Sequence, residues 1–411
     1  MMKKITLIGI GVAAFVLVGT ATPAGAMHAV VRCNPGTPGD GEYGSISAAL
    51  EAARAESARD HVIEVYGHCA ESVTIELMDN VQIIGHEGAT LRYPASTPIE
   101  RLVKIADSRA IRISNLTIAG RADVDFYLIT IFDSTGIRFT KVRIQDSGGT
   151  GVLIHNGSSV EFSGCAIEHH TKTGVEVGGN SVANFGDSTA PGPDTHVLIQ
   201  DNGLIGVVAR DSALIYFGGD VSVLQNRVDG VRLNGAAMRA CCQEGGERRI
   251  AGNHGTGIQA FGGYIDTAGP LTIEDNEGSG VVLWGAHLVT RNVGPFIIRN
   301  NAGSGLIAAS NSVVQVSYAQ IEANQRHGVR VQDGSTGEII NSSVRTNGAE
   351  GVFAFGLSVA AIYGGNTIAG NGGFDLFCAP DSLGRGTKAG IDKMMCPAFN
   401  QSPTPNPGPP W

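Results

Sequence analysis

The stretch GVRVQDGSTGEIINSSVRTNGAE, residues 328–350, decides the fold. It opens on a glycine, enters a run with apolar residues two apart (Val329, Val331), and closes on an apolar residue, Val344, three before Asn347. Asn347 stands four residues before Gly351, where the phrase begins again. Asn202, Asn226, Asn253, Asn276, Asn301 and Asn324 stand in the same relation to Gly206, Gly230, Gly257, Gly280, Gly305 and Gly328, and Asn371 stands so to Asp375. With Gly151 and Gly174 opening the series, successive spacings are 23, 32, 24, 27, 23, 25, 23, 23 and 24 residues. A period of this length makes each repeat one supersecondary unit that buries its apolar face only against its neighbours.

Apolar residues two apart after each glycine mark a strand. A second apolar column, Ile144, Ile167, Ile199, Val223, Ile250, Ile273, Ile298, Ile321, Val344 and Ile368, marks another three residues before each corner position. No helix-length apolar run fits between them. The repeat is therefore a coil of two or three short strands stacked on the next coil, an all-β parallel β-helix. In such a coil the glycine is expected to supply a positive φ at the corner. The asparagine is expected to tolerate the left-handed region and to hydrogen-bond from coil to coil.

Residues 1–26 carry Lys3 and Lys4, an uncharged apolar run and Ala24-Gly25-Ala26, the pattern of a secretory leader, so the protein is expected to be secreted or periplasmic. Residues 27–72 form the entry, with SISAALEAARAESAR (45–59) as a helix that caps the open end of the solenoid, Ser45 as its N-cap and Ile46, Ala49, Leu50 and Ala53 on its buried face. Early strands fall at 62–65, 73–75, 81–84, 102–105, 111–113 and 128–132, and the β-helix runs over 73–396. Insertions at 185–195 and 241–249 break the period and are expected to form loops, often near a binding face. The proline-rich segment 397–411 reads as a tail that adds no coil and stays disordered.

Seven cysteines in an oxidising compartment suggest staples at the two ends, Cys33 with Cys69 and Cys378 with Cys396. Cys165 points inward, and the state of the adjacent Cys241 and Cys242 stays open. A formal net charge of −9, more negative without the two leader lysines, argues against nucleic-acid binding. No second apolar run is long enough to span a membrane. Walker, zinc-protease, nucleophile-elbow and calcium-nonapeptide motifs are absent, and no cofactor is expected. Glu168, His169 and His170 offer metal-ligating groups, but adjacent turn residues diverge, so they read as solvated and no metal site is assigned.

The NxxxGV repeats, with SISAALEAAR followed by VIEVYGHCAESVTI, resemble the right-handed parallel β-helix proteins of the pectate-lyase-like superfamily, in the branch of carbohydrate-binding and sugar-hydrolase repeats. The resemblance spans nearly all of the chain after the leader. It implies a polysaccharide partner lying along the strand that follows each glycine. VEFSGCAIEHHTKTGVEVG, residues 160–178, is similar to the lyase coil in which a histidine and a lysine precede that strand, which implies that Lys172 contacts a uronate chain. The calcium-holding aspartates of those lyases, and the arginine before the following groove strand, have no counterpart.

Outward positions two and four of the groove strand carry His155, Glu176, Arg210, Arg232, Asn234, Phe261, Trp284, Arg330 and Phe355. Rings stack on pyranose faces and guanidinium forks hold carboxylates. Lys172, Arg210 and Arg232 fall on successive coils and are expected to meet successive uronate carboxylates, with His155 or an arginine as base in a lyase or epimerase. Glu176, Asn234, Phe261, Trp284, Arg330 and Phe355 would hold the sugar. The groove columns supply no carboxylate cluster of the kind a hydrolase needs. Val208, Val282, Ile307 and Phe353 on the same face support the rival reading, a non-catalytic scaffold whose apolar strip is covered by a loop, the tail or another subunit.

Overall fold

The computed structural model describes residues 26–401 apart from 34–41, 57–59, 96–98, 187–191, 193, 242–245 and 292–293. All of the expected leader but its last residue, Cys242, and residues 402–411 lie outside the described residues. Three parallel sheets of 14, 17 and 13 strands run the length of the molecule. After each corner the chain enters the 14-stranded groove sheet, passes to the 17-stranded second sheet, crosses the 13-stranded third sheet and returns one coil higher. One full coil reads Val207–Arg210, Leu214–Phe217, Val221–Leu224, then Val231–Asn234 beside the starting strand. No described helix is long and apolar enough to cross a membrane.

Register explains the apolar columns. Ile250, Ile273, Ile298 and Ile321 pair directly from coil to coil in the third sheet, and each is fully buried. Inside the second sheet, Phe139, Phe162 and Phe185 stack with centroids 5.3 Å apart, and Phe217 meets Phe185 edge-on at 5.7 Å. β-Branched and aromatic side chains suit a parallel sheet covered on its inner face.

The asparagines form a continuous buried ladder at the corner between the third sheet and the groove sheet. Each Nδ2 donates to the Oδ1 one coil on, at 2.9–3.0 Å from Asn202 to Asn371. Asn371 donates to Asp375 Oδ1 at 2.9 Å, so the carboxylate ends the series. Two expectations about this corner need correction. The left-handed residue is the one before the asparagine, as at Asp201, Gln225, Asp275, Asn300, Ala323 and Thr346. The repeat glycine is required by close approach: a Cβ on Gly280 would stand 2.3 Å from Ile298 Cγ2 and 2.6 Å from Gly305 O.

The ladder also extends upstream of the asparagines. His170, four residues before Gly174, occupies the next position: its N–H donates to Asn202 Oδ1 at 3.3 Å, and its Nδ1 accepts from Ser147 N–H at 3.2 Å. Both Glu168 and His170 are 1% exposed, so of the three residues read as solvated only His169 is. Glu168 takes hydrogen bonds from Arg143 and from Gln200, the latter at 2.8 Å. Burial favours its neutral form, but these partners outweigh burial and hold it below the ordinary range. On the opposite side of the groove sheet a serine ladder runs through Ser108, Ser134, Ser158 and Ser181, each hydroxyl taking the backbone N–H one coil back at 3.1–3.2 Å.

Helix Ile46–Ala55 closes the first coil as expected, with Ser45 Oγ accepting from Ala48 N–H and Ile46, Ala49, Leu50 and Ala53 buried. Cys33–Cys69 and Cys378–Cys396 are bonded, Cys165 is a buried free thiol, and Cys241 is disulfide-bonded. The entry is itself part of the rod, since Met27–Arg32 pairs along its length with His61–Tyr66. At the far end Phe399–Gln401 pairs with Gly384–Gly386, so the first residues of the expected tail add a strand. Both insertions connect a strand of the second sheet to one of the third, so neither adjoins a groove strand in sequence. Arg248 in the second is 1% exposed and donates to the carbonyls of Phe217, Gly218, Cys241 and Pro270.

Candidate functional site

The corner leading into the groove sheet spans residues 146–151 and 169–174 where Ser147 and His170 close it, the same length as the asparagine corners such as 225–230, and is one residue longer just upstream. Between strands Thr117–Ala119 and Tyr127–Phe132 the chain makes an excursion over residues 120–126. It lies flat because Gly148 and Gly149 lie beneath it: a Cβ on them would stand 2.4 Å from Val124 O and 2.2 Å from Phe126 O. Ser147 Oγ donates to Phe126 O at 2.9 Å, and the Tyr93 ring meets that of Phe126 at 5.1 Å.

This excursion walls a cleft of about 500 Å³ on the groove sheet, lined by Glu100, Arg101, Asp125, Tyr127, Thr130 and Lys172 with Phe132 and Leu153 on its floor. Lys172 Nζ reaches across to Asp125 Oδ2 at 2.7 Å. That hydrogen bond raises the lysine above its ordinary value, so it stays cationic. Arg101 pairs with Glu100 at 3.1 Å, and the Tyr127 ring is 41% exposed. Thr130 is 2% exposed, and its Oγ1 has no hydrogen-bond partner among the described residues. A buried hydroxyl without a partner is costly, and this oxygen lies beneath the cleft lining, closed to solvent.

The structure disperses the residues singled out in the sequence. Lys172 lines the cleft. His155 pairs in register with Phe132 of the cleft floor, lies over Gly178 and Gly179, and has its Nδ1 2.6 Å from Asn156 Oδ1. Arg210 pairs with Glu176 at 2.6 Å, and Arg232 pairs with the buried Asp229 at 2.6 Å. The row of cations expected to meet successive uronates is therefore not one free row. Arg232 shares its outward column with Glu176 and Val208, Arg210 shares another with Asn234, and Lys172 stands on the corner. Each already holds a carboxylate of its own.

Further along, Asn234, Phe261 and Trp284 stand in one register column and are exposed. Arg330 lies over the Phe355 ring at 4.9 Å, and Phe353 is stacked between His327 and Phe355 at 4.9 Å from each. Those faces are used within the protein. Sequence reading missed Glu100, Arg101, Asp125, Tyr127 and Thr130; the one local signal was the Gly148-Gly149 pair, which has no role in the repeat.

The model of the family described as right handed beta helix region matches residues 101–192 and 247–387. No curated protein matches the sequence. Among solved structures, the A-module of the Azotobacter vinelandii mannuronan C-5 epimerase AlgE4 is similar at 16% identity over 87% of this chain and 94% of that one, with a TM-score of 0.50. The AlgE6 A-module of the same organism is 14% identical over 87% and 93%, with a TM-score of 0.40. Tailspike protein 3 of bacteriophage CBA120 is 12% identical over 85% and 61%, with a TM-score of 0.37. Identities this low show a shared fold and nothing of the reaction. With the family model covering more than half of its length, the chain belongs to the right-handed β-helix family.

Proposed function

We propose that this protein engages an extracellular or cell-wall polysaccharide along the groove sheet, with the cleft at Lys172 as its principal station and an acidic, uronate-bearing chain as its ligand. The observation that carries this reading is the cleft itself, where a lysine and a guanidinium, paired with the exposed carboxylates of Asp125 and Glu100, and a phenol face one space. A uronate carboxylate entering the cleft displaces Asp125 from Lys172, an exchange between exposed charges that costs little.

Cleavage or epimerisation of the chain is the finer proposal. Both begin when a base takes the proton beside the carboxylate and a cation stabilises the resulting charge. Lys172 and Arg101 are placed for the second task, and His155 and Tyr127 are the candidates for the first. Incubation with polymannuronate and polygalacturonate tests this: ultraviolet absorbance from unsaturated uronate reports cleavage, and deuterium uptake from solvent without chain shortening reports epimerisation. Neither signal, with binding retained, makes the protein a binder.

The pairing of Lys172, Arg210 and Arg232 with internal carboxylates favours a second reading, a non-catalytic scaffold. Failure to bind any acidic or neutral glycan would establish that reading in place of the first.

A further inference from the structure

Beyond the cleft, the groove sheet carries a second feature of different chemistry. Phe261 and Trp284 are 43% and 38% exposed, on adjacent coils and in direct register. Neighbouring large aromatic side chains left this open on a sheet face mark a contact surface. Each sits just before a glycine with positive φ, Gly262 and Gly285, and Asn234 stands likewise before Gly235. Gly235 N–H donates to Phe261 O at 2.9 Å and Gly262 N–H to Trp284 O at 2.8 Å, so the turns fix the column at the coil spacing, about 4.8 Å. Next to it run Gln259 and the almost buried Val282.

The charge of this strip decides its ligand. Arg210 and Arg232, its two cations, are matched by Glu176 and Asp229 at 2.6 Å each. A polyuronate laid here gains no unpaired cation, whereas a neutral pyranose chain gains ring faces to stack on and amides to bond its hydroxyls. We infer that Asn234, Gln259, Phe261 and Trp284 form a charge-neutral glycan strip, separate from the cleft, that holds a neutral pyranose segment running along the rod. The inference rests on the polysaccharide reading of the groove sheet but assigns a different sugar class to a different place.

The chain has two tryptophans, so in a Trp411→Phe protein the indole emission comes from Trp284 alone. That protein is titrated with cellohexaose, mannohexaose and chitohexaose. Expected are a saturable emission change with at least one of them that does not weaken at high salt, an affinity at least about fivefold lower in Phe261→Ala, recovery in Phe261→Tyr, and no effect of Lys172→Ala. No saturable change with any of the three, or one unaltered by Phe261→Ala in a protein that melts like the parent, overturns the strip. Co-sedimentation with polymannuronate is run in parallel: retained polyuronate binding with no neutral binding removes this inference alone, and loss of both removes the polysaccharide reading with it.

Discussion

The coils from Asn202 onward and the coils from Arg101 to Gly174 share one backbone plan but differ in what their corners carry. In the first region each asparagine amide is spent within the ladder. In the second, Ser147 and His170 take the ladder positions in corners of the same length, the preceding corner over residues 120–126 is one residue longer, and Thr130 Oγ1 on the strand that follows it is left without a partner. Where the period is kept, polar groups are consumed by the fold. In the coils before the asparagines begin, some of them face a cleft.

The largest effect is expected from breaking the regular region at its core. Ile298→Asp places a carboxylate at a fully buried position between Ile273 and Ile321, at a cost of several kcal/mol. The expected outcome is no soluble, cooperatively melting protein.

Asn276→Ala acts on the ladder itself. It strips the acceptor from the N–H and Nδ2 of Asn253 and the side-chain donor from Asn301 Oδ1. Asn253 Nδ2 keeps Val223 O and Asn301 Oδ1 keeps the N–H of residue 276, so the Asn253 N–H alone is orphaned, and denaturant titration should show a loss of about 2 kcal/mol. The equivalent change at Ser147, Ser147→Ala, removes the bonds to Phe126 O and from Gly149 N–H that join two successive corners, and should cost a similar amount.

His170 distinguishes the two regions by pH. Burial disfavours its imidazolium and lowers it from 6.5 to about 4. The neutral ring is therefore the folded form, and its contribution is fully present above about pH 6.5 and lost as pH falls toward 4, about 3 kcal/mol in all. His170→Asn should flatten that part of the pH–stability profile, with its Oδ1 taking the Ser147 N–H and its Nδ2 meeting Asn202 Oδ1. An unchanged acid profile in this variant would remove His170 from the ladder.

The regular region was legible in the sequence because its causes are local and repeated. Asparagine four residues before glycine, isoleucine three before asparagine, and a Ser45-capped alanine-rich helix each name their own environment. His170 obeyed the same spacing before Gly174, yet its neighbours Glu168 and His169 suggested a turn or a metal site, and only the stacked coils show that it is buried. The cleft was illegible for a different reason. Lys172 meets Asp125 across 47 residues of chain, and Arg232 is neutralised by Asp229, which lies beside the repeat glycine and outside the strand pattern. Sequence placed the cations on a face; it held no information on which carboxylates would reach them.

The smallest change to stability tests the central claim. Asp125→Asn removes an exposed ion pair, worth at most about 1 kcal/mol to the fold, and frees Lys172 for a ligand. Titration calorimetry of wild type, Asp125→Asn and Lys172→Ala with polymannuronate oligomers is the direct measurement. Expected are tighter binding in Asp125→Asn than in wild type, weaker binding in Lys172→Ala, and a difference that shrinks with added salt. Equal affinities in all three proteins, or binding in none, would contradict the cleft as the polysaccharide site.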